Sequence, residues 1–331
     1  MGTVSGLDTS TLALGADYSH WDMDIPGALF KRFSFVFVKA ADGDQLRPGD
    51  PTNPSNYVDV NFRDNVQKAY DADIPCGIYV YIIPDVPNWT MDSIIQHHYK
   101  ALKAATNGLI AGKSYHAIVL DVEDQKHPQT DTNWQKIVKG LTDLILTDPE
   151  YKAATPHGVG IYSTVSFLNS KPALRDEVSN KNVLDKYWMW MAQWPAFPEQ
   201  IETSPDGLMV VKYRTIKTTW DDIVKNRIPS LNMKVLTPGY QTWQIVQWSS
   251  CFNTGEISTN WDLNFFKGTR EACYNWFGYK PHGIVVTPPP VVTPPPVDPP
   301  VTPPGWDDSA IVALTNRVDA IETALKEPIL K

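Results

Sequence analysis

Short apolar runs alternate along most of the chain with longer stretches whose apolar residues recur every three or four positions. The short runs read as strands buried on both faces, and the longer stretches as amphipathic helices. Strands are expected at 13–18, 35–40, 77–83, 158–163, 187–194, 242–248 and 261–265, and in the apolar run that leads into Asp121 and Glu123, with helices at 26–32, 61–72, 91–105 and 132–146. In 61–72, for example, Phe62, Val66, Ala69 and Tyr70 share one helical face. Strand–helix alternation of this kind implies a parallel sheet. Eight strands before residue 283 imply an α/β barrel whose final third lacks long helices.

The pattern breaks sharply at Val285, where the chain reads VVTPPPVVTPPPVDPPVTPPG, with ten prolines between Pro288 and Pro304. Proline removes the donor that a helix or a sheet needs, so this tract is expected to be an extended spacer spanning on the order of 60 Å. Beyond it, Ile311, Leu314, Val318, Ile321 and Leu325 follow the 3-4-3-4 spacing of a coiled-coil seam. The expected division is therefore a barrel over 1–283, a linker over 284–305 and a short amphipathic helix over 306–331. A seam of two and a half heptads needs another surface to bury it. Residues 309–327 are read as joining a dimer or trimer, or docking on a virion partner.

Composition narrows the function classes. The 331 residues are 42% hydrophobic and 20% charged, with a net charge of −8. The acidic balance lacks the basic stripe that nucleic acid requires. No apolar run is long enough to span a membrane, so neither nucleic acid nor membrane is an expected partner. The N-terminus shows neither the basic nor the apolar region of a signal peptide, so export by another route is expected. Three cysteines cannot make a disulfide framework, and whether Cys251 pairs with Cys273 stays open. No metal-ligand spacing appears among the seven histidines, and no metal or cofactor is expected.

The most informative stretch is His116-Ala-Ile-Val-Leu-Asp-Val-Glu-Asp124. Residues two apart on a strand face the same way, so Asp121 and Glu123 project together from the strand's C-terminal end. Barrel enzymes place their chemistry at such ends. Asp17 and Asp262 end the first and last strands, so four carboxylates can ring one mouth. Crowded carboxyl groups have their pKa values pushed apart, leaving one acid and neighbouring anions, which suits glycosidic bond cleavage. Capping of the following helix and cation binding are the alternatives from the motif alone.

The ordered elements GADYSHWD (15–22), FVFVKAADG (35–43), CGIYVYIIP (76–84), VLDVED (119–124), GIYST (160–164), WMAQW (190–194), VQWSS (246–250) and WDLNFF (261–266) resemble glycoside hydrolase family 25, the Chalaropsis-type muramidases. The resemblance covers nearly all of 13–267 and implies a (β/α)5(β)3 TIM-like barrel. It also implies a retaining cleavage of the β-1,4 bond between N-acetylmuramic acid and N-acetylglucosamine in bacterial peptidoglycan. By matched position it makes Glu123 the general acid, held protonated by its carboxylate neighbours. Asp121 and Asp262 would stay negative, and Asp17 would hold the sugar in register. Many relatives read Tyr-His-Phe in the third strand, where this chain has Tyr79-Val80-Tyr81. Tyr18, Tyr79, Tyr162, Trp190, Trp194 and Trp248 fall on matched strand ends and are expected to stack on sugars, with Gln247 reaching an acetamido group. Of Trp188 and Trp190, only one is expected to face inward. His20 is expected to be a hydrogen-bonding rim residue. The segment between Trp194 and Trp243, with Lys212, Tyr213, Arg214 and Trp220, is either a rim over the cleft or a remote insertion. A phage lysin, made in the host cytoplasm and released onto the wall or carried in the particle, is the expected setting. A non-catalytic wall-binding or virion module and a hydrolase of a chitin-like polymer are the competing readings.

Overall fold

The computed structural model describes residues 12–22, 25–44, 52–85, 88–124, 129–179, 186–192, 200–203, 209–211, 215–228, 243–257 and 259–282. The linker and C-terminal helix expectations, Trp194 and the triplet 212–214 lie outside them.

Six parallel strands come first: β1 (Leu14–Tyr18), β2 (Phe35–Asp42), β3 (Cys76–Tyr81), β4 (Ala117–Asp121), β5 (Val159–Thr164) and β6 (Tyr187–Ala192). Between them lie α1 (Gly27–Phe30), α2 (Phe62–Asp71), α3 (Met91–Thr106), α4 (Asp131–Thr147), α5 (Val165–Asn169) and α6 (Pro172–Ser179). Short elements follow: a hairpin of β7 (Ile201–Thr203) with β8 (Met209–Val211), then β9 (Ile216–Lys217) and α7 (Trp220–Asp222). The sheet closes through β10 (Trp243–Asn253), parallel to β6, and β11 (Trp261–Phe266), antiparallel to both β10 and β1. The eight long strands thus form the expected barrel. β10 runs past the expected residue 248 because two register shifts let it follow β11 and also pair with β9.

Helix starts follow local chemistry. Thr90, Thr130 and Thr164 cap α3, α4 and α5 by accepting backbone N–H bonds from the residue three positions on. The apolar faces of α2, α3 and α4 pack onto the outward side chains of the sheet, forming one core layer.

A second core fills the barrel. Phe35, Phe37, Trp188 and Trp190 point inward, and α8 (Arg270–Trp276) with Phe277 and Tyr279 packs against their cluster. Phe277 lies 6.0 Å from Phe35 and 6.1 Å from Phe37, so α8 and the residues after it seal the floor. The expectation that only one of Trp188 and Trp190 faces inward is corrected: residues two apart share a face, and both pack on Phe37, at 6.2 and 4.6 Å. Cys273 is buried in this inner cluster, while Cys251 lies on β10; neither is in a disulfide.

Rings this large fit only where the opposing wall has no side chain. Gly15 faces Phe35, Gly77 faces Phe37 and Gly160 faces Trp188, each so closely that a Cβ would overlap the ring. The Phe37 ring is held by Phe35, Trp188, Trp190 and Phe277 and has nowhere to move. Gly77→Ala is expected to destabilise the fold by about 1–3 kcal/mol, a drop of several degrees in thermal unfolding. Gly27→Ala, whose added carbon meets only Lys68 at 3.6 Å, should unfold at or above the wild-type temperature. Equal melting of the two variants would remove the close-packing argument.

Candidate active site

Strand ends bring the acids together. A cavity of about 410 Å³ is lined by Asp17, Asp121, Glu123 and Asp262, with Tyr79, Tyr162, Trp190 and Gln247 on its walls. Asp17 stands directly opposite Asp262 across the β1–β11 pair, and Asp121 lies between Tyr81 and Tyr162 in register. All four acids, and four of the seven residues expected to contact substrate, therefore share one chamber.

Two expected contacts do not reach it. Tyr18 packs outward on Phe30 at 5.0 Å and on Trp261 at 6.4 Å. Trp248 stacks on Phe265 at 5.4 Å with an interplanar angle of 11°. Asp17 and Gln247 take the inward positions, so strand alternation turns their neighbours toward the helical layer. Trp220 also sits outside, against Phe33 and Trp261 and under the Arg32 guanidinium.

The orientation of Asp17 is fixed by a chain of donors. Asn264 Nδ2 and Gln247 Nε2 both donate to Asp17 Oδ2, at 2.8 and 2.9 Å. An indole N–H can only donate, so Trp190 Nε1, 2.7 Å from Asn264 Oδ1, forces the amide to turn its NH2 toward the acid. The Tyr162 hydroxyl donates to Gln247 Oε1 at 2.8 Å and fixes the second amide in the same sense.

Lys39 was not anticipated. It follows Phe37 by two and so faces inward, but Asp42, three further on, reaches the same face only because β2 shifts register between Lys39 and Ala41. Lys39 Nζ lies 2.9 Å from Asp42 Oδ2 and above the Tyr81 and Tyr79 rings, at 5.1 and 5.8 Å. It is the only cation among the described residues lining the cavity, which Asp44 and Asp124 also border. Asn264 was legible in principle, two residues beyond Asp262 on one strand. Trp21, exposed at the cavity rim, carried no spacing signal.

Burial dominates the electrostatics. It lifts the Asp17 carboxyl to about 7, against the pull of the two amide donors, with Asp22 and Glu123 adding to the rise. Asp121 is held well above its ordinary value by burial and then by Glu123, with Lys39 opposing, and its Oδ1 has no hydrogen-bond partner. Asp262 is raised well above its ordinary value by burial and by Asp17. Glu123 is raised by burial, lowered by Lys39 and raised by Asp124. The expectation that carboxylate neighbours hold Glu123 protonated is thus corrected: removal from water is the first cause. The expectation that Asp121 and Asp262 stay negative is opposed by the same enclosure, which raises both carboxyls. The cluster holds protons collectively. Among the described residues no group of three or more His, Cys, Asp or Glu side chains is arranged to hold a metal ion, and no helix is long and apolar enough to cross a membrane.

With this geometry in view, comparison with known proteins is decisive for the family. The model of glycosyl hydrolases family 25 matches residues 16–221, more than half of the chain. The chain belongs to that family. It is a glycoside hydrolase, and Asp17, Asp121 and Glu123 fall within the matched segment, while Asp262 comes from the strand that closes the barrel. Lysozyme M1 of Streptomyces globisporus is 24% identical over 271 residues, 81% of this chain and 71% of that protein. Among solved structures, the lysozyme of Streptomyces coelicolor is similar with 22% identity and a TM-score of 0.49, over 78% of this chain and 94% of that one. The catalytic domain of endolysin ply40 from Listeria monocytogenes bacteriophage P40 is similar with 14% identity and a TM-score of 0.47, over 81% and 98%.

A raised carboxyl pKa makes stability fall as pH rises. For Asp17 the contribution is intact below the unfolded value of 3.8 and is lost progressively up to about 7. Asp17→Asn keeps an acceptor oxygen for Gln247 and Asn264 and removes the charge. It is expected to melt several degrees above wild type at pH 8, with the gain vanishing near pH 4. A pH-independent difference in calorimetry would contradict the buried-charge account.

Proposed function

We propose that this chain is a muramidase that cleaves the β-1,4 bond between N-acetylmuramic acid and N-acetylglucosamine in peptidoglycan. The observation that carries the reading is the convergence of Asp17, Asp121, Glu123 and Asp262 on one enclosed cavity. Lysozyme M1 supports the substrate class.

In this mechanism Glu123, whose carboxyl pKa burial raises, donates its proton to the leaving glycosidic oxygen. Positive charge then develops at the anomeric carbon. In the coupled set, whichever of Asp121 and Asp262 is already the carboxylate faces that charge and stabilises it. The unpartnered Oδ1 of Asp121 is free to accept a substrate N–H or to face the oxocarbenium-like centre. Asp17, pinned by two amides, orients the sugar rather than exchanging its proton freely. Tyr79, Tyr162 and Trp190 form the wall against which the ring packs. Retention follows if a carboxylate or the substrate's acetamido group captures the anomeric carbon before water does.

The cell wall is the site of action. A phage lysin released onto the wall or carried in the particle is the finer reading, supported by the coiled-coil seam, which favours several copies acting together on a polymeric target.

Digestion of purified sacculi followed by mass spectrometry is expected to release muropeptides ending in reducing N-acetylmuramic acid. Glu123→Gln should lower that rate at least about 1,000-fold with unchanged thermal unfolding. Reducing N-acetylglucosamine ends, faster turnover of chitooligosaccharides than of sacculi, or full activity in Glu123→Gln would each overturn the assignment. For the seam, Val318→Asp is expected to reduce the mass seen by light scattering to that of one chain; a single-chain mass in the wild type would dismiss self-association.

A further inference from the structure

We propose that Trp21 is a saccharide-stacking platform at the mouth of the cavity, holding a pyranose ring of the glycan strand beyond the sugars that meet the acids. The inference rests on the muramidase reading of the same cavity and adds a distal subsite to it.

Trp21 is 71% exposed, the most exposed large hydrophobic side chain among the described residues, and it borders the acid cavity. An indole left in water beside a cleft is anomalous unless something covers it during function. The backbone that carries it is tied down on both sides. Ser19 N donates to Asp22 Oδ2 at 2.9 Å, Asp22 N to the Ser19 carbonyl at 3.0 Å and Trp21 N to Ser19 Oγ at 3.2 Å, closing a tight turn. Thr259, ahead of β11, donates to Asp22 Oδ1 and anchors the turn to the last strand. On the other side His20 N and Nδ1 meet Asp59 Oδ2 at 2.8 and 2.9 Å, while Asp59 Oδ1 accepts from Asn61 N at the start of α2.

The His20 ring then backs the indole, with centroids 4.5 Å apart and planes tilted by 40°. A flat apolar surface with a polar N–H edge matches the C–H face and flanking hydroxyls of an acetamido sugar. Its fixed mount means little side-chain and loop freedom is lost on binding, the cost that most weakens such contacts. His20 is thus a positioning residue that acts through Trp21, which accounts for its hydrogen bonds to the buried Asp59.

The test uses full-length protein carrying Glu123→Gln, so that binding is measured without turnover. Peptide-free glycan strands of graded length are titrated calorimetrically. Adding Trp21→Ala is expected to weaken Kd about ten-fold for long strands and progressively less for short ones. Trp21→Phe should recover most of the loss, and His20→Ala should lose part of it. Ile110→Ala, 57% exposed and outside the cavity lining, serves as the control and should bind as its parent does. Thermal unfolding of the Trp21 variants should match the parent. Equal Kd for Trp21→Ala and its parent at every length, a loss independent of length, or no strand binding by the parent overturns the platform. The muramidase reading is judged separately, by whether the chain with Glu123 intact releases muropeptides from sacculi.

Discussion

The hydrogen bond from Trp190 Nε1 to Asn264 Oδ1 joins the two levels of the barrel interior. Below it, the Trp190 ring packs on Phe37 at 4.6 Å, within a dry plug of aromatic residues that closes the barrel. Above it, Asn264 passes the constraint to Asp17 and so to the acid cluster. The inward row of a closed sheet changes character at this level, from rings that exclude water to carboxyls that need a fixed environment. The plug makes the mounting rigid, and the indole N–H decides which way the amide faces. Loosening the interior would therefore loosen the site, although no ring of the plug is charged.

Enclosing several acids around one lysine opposes folding and favours catalysis for the same reason. Burial raises the free energy of each anion, so the resting cavity holds its protons more tightly than free carboxyls do. Charge appearing on a bound sugar is stabilised by whichever carboxyl of the coupled set is ionised. Lys39 moderates this without abolishing it, because Asp42 already takes part of its charge at 2.9 Å. The two tyrosine rings beneath its ammonium keep that charge at one place. A better-neutralised cavity would fold more stably and hold Glu123 less firmly in its protonated form.

Much of the fold was legible, because buried parallel strands leave unbroken apolar runs and their ends carry the chemistry. Asp17, Asp121 and Glu123 were placed by that rule; Asp262 opens the last strand rather than ending it, and reaches the same mouth because that strand runs antiparallel. Tyr18 and Trp248 failed by one position: a motif shared with a family does not say which of two adjacent residues faces in, whereas alternation does. Applied consistently, the same alternation would have put both Trp188 and Trp190 inside. Lys39 with Asp42 was hidden by a register shift, since odd spacing on a regular strand separates two side chains. Trp21 was hidden more completely, because loop geometry set by His20, Asp22, Asp59 and Thr259 arises from contacts distant in sequence.

The sealed floor limits how a polymer can be handled. With α8, Phe277 and Tyr279 packed beneath the aromatic plug, the chamber is a blind well rather than a tunnel. A long glycan cannot be threaded through and fed along link by link. It has to lie across the opening, be cut wherever it settles, and depart as two fragments by the side from which it came. Loading from one open side needs no free strand end, which suits a cross-linked mesh.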